Sequence, residues 1–390
     1  MKAVLCAGLL GGLLLIIPTG CATDSDYSSL RLTGDPIADS RVAIERGPKR
    51  DRVLWEYRAG LAYMRKGQFE EAKRLLDDAI LSIGGIKTAD SDSRKARGYF
   101  HSESKKTFLG EPYERVMAFY YRGILYWMDG EPDNARACFR SAQIEDSDNE
   151  NKTYSADYVL LDYLDGLATA KLAGDGSDAD KRARKLDKTG LLPTCDPRAN
   201  VLIFLDFGQG PHKFATGEYG QELRFGEGNQ RVRNALVTVD NQSVRAPAFD
   251  DLYFQAITRG GRVMDHILGN KAVFKETTAI AGMGAIVGGA VLLQNRGTRE
   301  VGAGLLALGV LSEVVSAATT PDADIRAWDN LPQYLSFVAL TASPGQHTMR
   351  IDFQDAYGGA VEGLSKTITL NIPVGSRDSI IYISDQSTSF

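Results

Sequence analysis

The chain reads Gly60-Leu-Ala-Tyr63-Met-Arg-Lys-Gly67-Gln-Phe-Glu-Glu-Ala72-Lys-Arg-Leu-Leu76-Asp-Asp-Ala79, and the same spacing returns 63 residues later as Gly123, Tyr126, Gly130, Ala135, Phe139 and Ala142. Apolar residues recur at helical intervals on both sides of Gly67 and Gly130, so each stretch predicts a helix, a tight turn and a second helix. Small residues stand where the two helices must touch, and larger ones fill the spaces between. Pro132, just after the second turn, suits the first turn of a helix.

Six matching positions, twice, are similar to tetratricopeptide repeats, whose period is about 34 residues. The wider spacing here leaves Gly84–Pro112 as either a degenerate helix pair or a long loop. Tyr154–Leu172 predicts a further apolar helix, and Lys181–Lys188 a basic, solvated helix face. Residues 50–190 therefore read as a TPR-like helical domain whose concave surface would take a protein segment. Tyr57, Tyr63, Tyr120, Tyr121, Tyr126 and Trp127 are mostly core by spacing, with room for one or two to line a groove.

Leu192-Pro-Thr-Cys-Asp-Pro197 breaks the helical pattern. Beyond it the period shortens to two, with β-branched and aromatic residues. Expected strands are Val201–Phe207, Gln221–Phe225, Ala235–Val239, Leu252–Thr258, Tyr334–Thr341, Thr348–Phe353, Thr367–Ile372 and Ser379–Ser384. Ser343-Pro-Gly345-Gln-His reads as a hairpin turn. The fold class is thus α+β: a helical domain, then a mostly antiparallel β-sandwich-like domain over 198–390.

A helix expected over Val263–Thr277 leads into a Gly-rich helical hairpin inserted at 278–320. Its apolar arms, Ile280–Leu293 and Val301–Ala318, are 14 and 18 residues long. Gly284 with Gly288, and Ala303 with Ala307, are spaced for close helix packing. Both arms are shorter than the ~20 residues of a membrane span, and Arg296, Arg299 and Glu300 sit at the tip. Packing on its own domain or on a partner is the main reading; partial insertion in lipid is the other. Gly282-Met-Gly284-Ala-Ile-Val-Gly288 misses the dinucleotide fingerprint by one place and lacks a preceding strand. After the hairpin, Asp324 and Arg326 are expected to pin the returning chain, with Trp328 buried below.

Met1-Lys2, the apolar Ala3–Ile17 and Pro18-Thr-Gly-Cys21 form a secretory signal over 1–20. Small residues before Cys21 resemble the lipobox of bacterial lipoproteins, with Pro18 where leucine is usual. The resemblance implies acylation of Cys21, palmitate among the chains, and Ala22 at the next position implies the outer membrane, facing the periplasm. Residues 21–50 read as a flexible tether. Cys138 and Cys195 remain, to be paired or left as buried thiols.

The net charge of −5 across 390 residues gives no footprint for nucleic acid. His101, His212, His266 and His347 fall in unrelated places, so no metal site and no cofactor is expected. Gly208-Gln-Gly210-Pro-His212-Lys213 is either a strand-connecting turn or a place where exposed N–H groups meet an anion. Asp250-Asp251, and Asp322 with Asp324 and Arg326, read as local structure rather than a cation site. No nucleophile or phosphate-loop motif occurs and no small-molecule substrate is evident, so no enzyme is expected.

Leu109-Gly-Glu-Pro-Tyr113-Glu114, Ile203-Phe-Leu-Asp-Phe-Gly-Gln-Gly-Pro-His-Lys213, Ala323-Asp-Ile-Arg-Ala-Trp328 with Leu331-Pro332, and Pro344-Gly-Gln-His347 together resemble a family of uncharacterised bacterial tetratricopeptide lipoproteins over roughly residues 105–355. That resemblance implies a scaffold for protein partners in cell-envelope assembly or maintenance, with no catalytic residues to carry over. The alternative is a membrane-active component whose hairpin oligomerises in or against the bilayer.

Overall fold

The computed structural model describes residues 27, 30–88, 107–147, 154–217, 222–258, 323–375 and 377–388. Cys21, the expected helix over 263–277 and the hairpin with Gly284, Gly288, Ala303 and Ala307 lie outside them. The described chain is mixed α+β, with antiparallel-rich sheets.

Helices come first: α1 (Pro36–Arg46), α2 (Arg52–Arg65), α3 (Phe69–Thr88), α4 (Pro112–Met128), α5 (Pro132–Asp146), α6 (Val159–Lys171) and α7 (Ser177–Leu186). The two repeated stretches fold alike. Gly67 and Gly130 take left-handed φ of 66° and 83°, which a glycine adopts without Cβ strain. In both turns the next amide reaches back to the same tyrosine position: Gln68 N donates to Tyr63 O at 2.9 Å and Glu131 N to Tyr126 O at 3.0 Å. Gly60 lies against Leu76, and Gly123 against Phe139, again at matching positions.

That equivalence yields two unlike predictions. A Cβ on Gly60 would meet Leu76 Cγ at 3.2 Å, whereas on Gly123 it would meet Phe139 Cε1 at 2.7 Å. Alanine gains about 1 kcal/mol of helix propensity over glycine. At position 60 that gain offsets the tight contact, so Gly60→Ala leaves stability nearly unchanged. At position 123 a ring must move, and Gly123→Ala loses about 1–2 kcal/mol net, within the usual range for overpacking. Urea unfolding of the two variants checks the difference.

The strands are β1 (Val201–Phe207), β2 (His212–Thr216), β3 (Glu222–Gly226), β4 (Asn234–Val239), β5 (Gln242–Pro247), β6 (Asp250–Asp251), β7 (Tyr334–Leu340), β8 (Gly345–Gln354), β9 (Lys366–Ile372) and β10 (Ser379–Ser384); a short helix, α8 (Leu252–Ile257), follows β6. One sheet runs β10-β1-β7-β6, a second β5-β4-β8-β9, and β2 pairs with β3 alone. Among the described residues only β1 and β10 pair in parallel; the other pairings are antiparallel.

Strand β1 explains the layering. Val201, Ile203, Leu205 and Phe207 share a core with Val237, Met349, Ile351 and Phe353 of the second sheet. Leu202 and Phe204, on the opposite face, share a core with the helices. A strand covered on both faces reads as one apolar run, which is the run Val-Leu-Ile-Phe-Leu-Asp-Phe. The helices, the β1 sheet and the second sheet are therefore stacked in that order.

Three expectations are corrected. Leu252–Thr258 is not a strand: Asp251 accepts hydrogen bonds from Tyr253 N (2.9 Å) and Phe254 N (3.4 Å), and this cap starts α8. Ser343–His347 does not close a hairpin, because β7 is flanked by β1 and β6 while β8 belongs to the other sheet. The turn carries the chain between sheets instead. Residues 36–46, expected within the tether, form α1. Asp35 caps it, Pro36 opens it, and buried Asp39 accepts from Thr33 N and Gly34 N at 2.6 and 2.8 Å.

Candidate functional site

The concave surface expected of the helices is filled by the chain itself. Tyr120 and Trp127 lie edge-on or tilted against Phe204 of β1, Tyr121 meets Tyr382 of β10 edge-on, and Tyr57 stacks on Trp328. Tyr57, Tyr120, Tyr121 and Trp127 are all buried, so none of these four lines a groove; Tyr63 and Tyr126 are half-buried. The other residues singled out in the repeats, Ala72, Ala79, Ala135 and Ala142, are core as well.

Asp206 locks this face. It is buried on the helix-facing side of β1 and accepts hydrogen bonds from Tyr121 and Tyr382 hydroxyls, each at 2.7 Å. The Arg65 guanidinium is 4.0 Å from it, and Arg65 donates to Gln386 at 2.9 Å. An aspartate inside an otherwise apolar strand was the available sequence signal for this cluster.

Three motifs that are far apart in sequence meet beside it. Glu114, at the start of α4, is fully buried. Its carboxylate accepts from Glu111 N (2.6 Å), from Trp328 N (2.7 Å) and from the Lys213 ammonium (2.6 Å). The Lys213 side chain, only 2% exposed, also donates to Arg326 O at 2.9 Å. Arg326 forks onto Asp324 and reaches Asp51 at the foot of α2. Arg58 of α2 donates to Ala327 O at 3.0 Å and pairs with Asp329 at 2.9 Å. Asp324 and Arg326 pair where the chain returns, and Trp328 is buried beside them, at 1% exposure.

The Gly208–Lys213 turn offers no free amide cradle at its start. Gly208 N donates to Asp385 Oδ2 (3.0 Å), Gln209 N to Asn229 O (3.2 Å) and Gly210 N to Leu331 O (2.8 Å). Between this turn, α2 and residues 325–331 lies a groove of about 810 Å³. Trp55, Leu54, Leu331 and the exposed Leu32 and Ile325 give it apolar walls; Arg58, Asp51 and Asn330 are among its polar groups. The size is within the ~300–1,000 Å³ of ligand pockets.

Elsewhere the carboxylates cap helices. Asp250 accepts from Val159 N (2.7 Å) and Leu160 N (3.0 Å), anchoring the start of α6 to the β1 sheet. Burial pushes its carboxyl up to about 7, and burial pushes Asp385 up to about 6. A carboxyl raised in the fold keeps a proton that the unfolded chain, with its carboxyl near 3.9, has already released. Stability is then fully present below about pH 4 for these groups and falls as the pH rises to about 7. Asp250→Asn and Asp385→Asn each flatten that slope, which urea unfolding between pH 4.5 and 7 measures.

Cys138 and Cys195 are free and half-buried, and burial raises both thiols to about 11, well away from the thiolate form at neutral pH. Among the described residues, no group of three or more His, Cys, Asp or Glu is placed to hold a metal ion, and no helix is long and apolar enough to cross a membrane. His212 is exposed at the start of β2, and His347 is half-buried, bonded to Asp240 at 2.7 Å and Ser343 O at 2.8 Å. Comparison with protein-family models, with curated proteins and with solved structures gives no match to this chain.

Proposed function

We infer that the protein is an outer-membrane lipoprotein, acylated at Cys21 and facing the periplasm, that works as a non-catalytic scaffold in envelope assembly or maintenance. On this reading the helices are a TPR-like array and the two sheets a β-sandwich-like unit. The observation that supports it best is the sealing of the helical inner face by β1 and β10. Repeats closed in this way cannot take a peptide there, and the groove between α2 and residues 325–331 becomes the surface that recruits an envelope protein. The charged groups around it (Glu114, Lys213, Arg326, Asp51) hold chain segments together rather than standing free for chemistry.

The test places a photo-crosslinking residue at Ile325 or Leu32, on the groove, and at Val374, which is 90% exposed at the other end of the sheets. In intact cells, one discrete protein adduct is expected from the groove positions and none from Val374. Equal adducts from all three positions, or none, would remove the groove as the recruiting surface. Radiolabelled palmitate incorporation that is lost in Cys21→Ser tests the anchor.

A further inference from the structure

Tyr27 is fixed to the body. The Tyr27 hydroxyl donates to Asp51 at 2.5 Å and accepts from the Trp55 indole N–H at 3.0 Å, and the two rings lie 5.9 Å apart. Asp51 sits at the corner between α1 and α2, within the run Glu45-Arg-Gly-Pro-Lys-Arg-Asp-Arg52. That run has four cations and two acids, and Asp51 is buried and already bonded to Tyr27 and Arg326. Arg52 is paired with Glu56 at 2.7 Å. Arg46 and Lys49, with the nearby Arg31 and Arg41, are exposed and make no ion pair among the described residues; Asp35 and Glu45 are the exposed acids of the same segment. The corner is locally basic on a chain whose net charge is −5.

We propose that the α1–α2 corner, carrying Arg46 and Lys49, is the face this protein lays on the anionic headgroups of the bilayer. This rests on the acylation of Cys21 proposed above. Tyr27 lies six residue steps beyond Cys21, and a fully extended chain of that length spans at most about 22 Å. The acyl chains hold Cys21 at the interface, so the docked Tyr27 keeps the corner close to the headgroups. Attraction of Lys and Arg to an anionic surface decays over about one Debye length, ~8 Å at physiological salt. A corner on so short a lead is drawn down, and one on the far side of the molecule is not. Leu32, 41% exposed beside the groove, is then near the lipid surface, while Val374, 90% exposed, lies at the other end of the sheets, where Ile372 pairs with Gly345 and Arg377 donates to Met128 O at the far end of α4.

The full-length protein, purified with its acyl chains, is placed in vesicles of phosphatidylglycerol and phosphatidylethanolamine. It carries one fluorophore at L32C or at V374C, with Cys138 and Cys195 replaced by alanine. A headgroup-bound quencher should quench the probe at position 32 at least threefold more than the probe at 374. The ratio should fall toward one in R46E/K49E and in phosphatidylcholine vesicles. Equal quenching at both positions, with Cys21 shown by mass spectrometry to be acylated, overturns the proposal. An unmodified Cys21 overturns the anchor reading alone. The corner is then decided by co-sedimentation of the same full-length chain with anionic vesicles: binding abolished by R46E/K49E supports it, and absence of binding overturns it.

Discussion

Glu114→Ala is expected to lower the unfolding free energy by about 3–5 kcal/mol, the range seen when one partner of a buried ion pair is removed. The deletion leaves the buried Lys213 ammonium, on a side chain 2% exposed, with the Arg326 carbonyl and the ring faces of Phe108 and Tyr113 (5.6 and 6.0 Å away) as its remaining partners among the described residues. It also strips the acceptor from two amides, Glu111 N and Trp328 N. Lys213→Ala should cost less, about 2–3 kcal/mol, because the carboxylate keeps both amide donors. The double variant should cost less than the two singles combined, since it no longer contains a buried lone ammonium. Urea unfolding of the four proteins measures this cycle. A loss below about 1 kcal/mol for Glu114→Ala, or simple additivity, would mean that the pair is not the interlock described. Against a total stability of roughly 5–15 kcal/mol, the expected loss is large enough to loosen the groove wall at 325–331.

The interlock also shows which parts of this molecule are legible in its sequence. The repeat contacts are local: Gly60 meets Leu76 and Gly123 meets Phe139 within one helix pair, so helical periodicity alone places them. Glu114 and Lys213 are 99 residues apart, and Glu114 and Trp328 are 214 apart. In sequence each charge looks like an ordinary surface residue, and only the fold decides which partner neutralises it. Lys213 follows Gly-Gln-Gly-Pro-His, a composition that suggests an exposed turn, yet its ammonium is buried. The helix at Leu252–Ile257 is hidden in the sequence for a different reason. Tyr, Phe and Ile favour strands, and six residues are too few for a helical period to show, so the Asp251 cap prevails over propensity. The filled inner face of the helices was hidden for the same reason as the ion pair: nothing within 50–190 says that β1 and β10 will cover it.

Trp328→Ala is expected to cost about 3–5 kcal/mol, as for other buried aromatic truncations, and more than the loss of any charge in its own motif. The indole is 1% exposed, stacks on Tyr57 with centroids 4.3 Å apart and planes 14° apart, and lies 6.1 Å from Tyr121. Its removal opens a cavity where α2, α4 and the returning chain meet, and nothing small is poised to fill it. Trp328→Phe keeps a ring on Tyr57, and the indole N–H it discards finds no acceptor among the described residues. That variant should lose only about 1–2 kcal/mol, mainly from reduced volume. Asp324→Ala should cost less than about 1 kcal/mol, because Asp324 is partly exposed and Arg326 retains Asp51. The order Trp328→Ala, then Trp328→Phe, then Asp324→Ala separates two accounts of this motif. If the aromatic stack holds residues 323–331 in place, protease cleavage within that segment rises with the loss of ring contact. If the charges hold it, Asp324→Ala is cleaved as fast as Trp328→Ala, and the order of stabilities collapses with it.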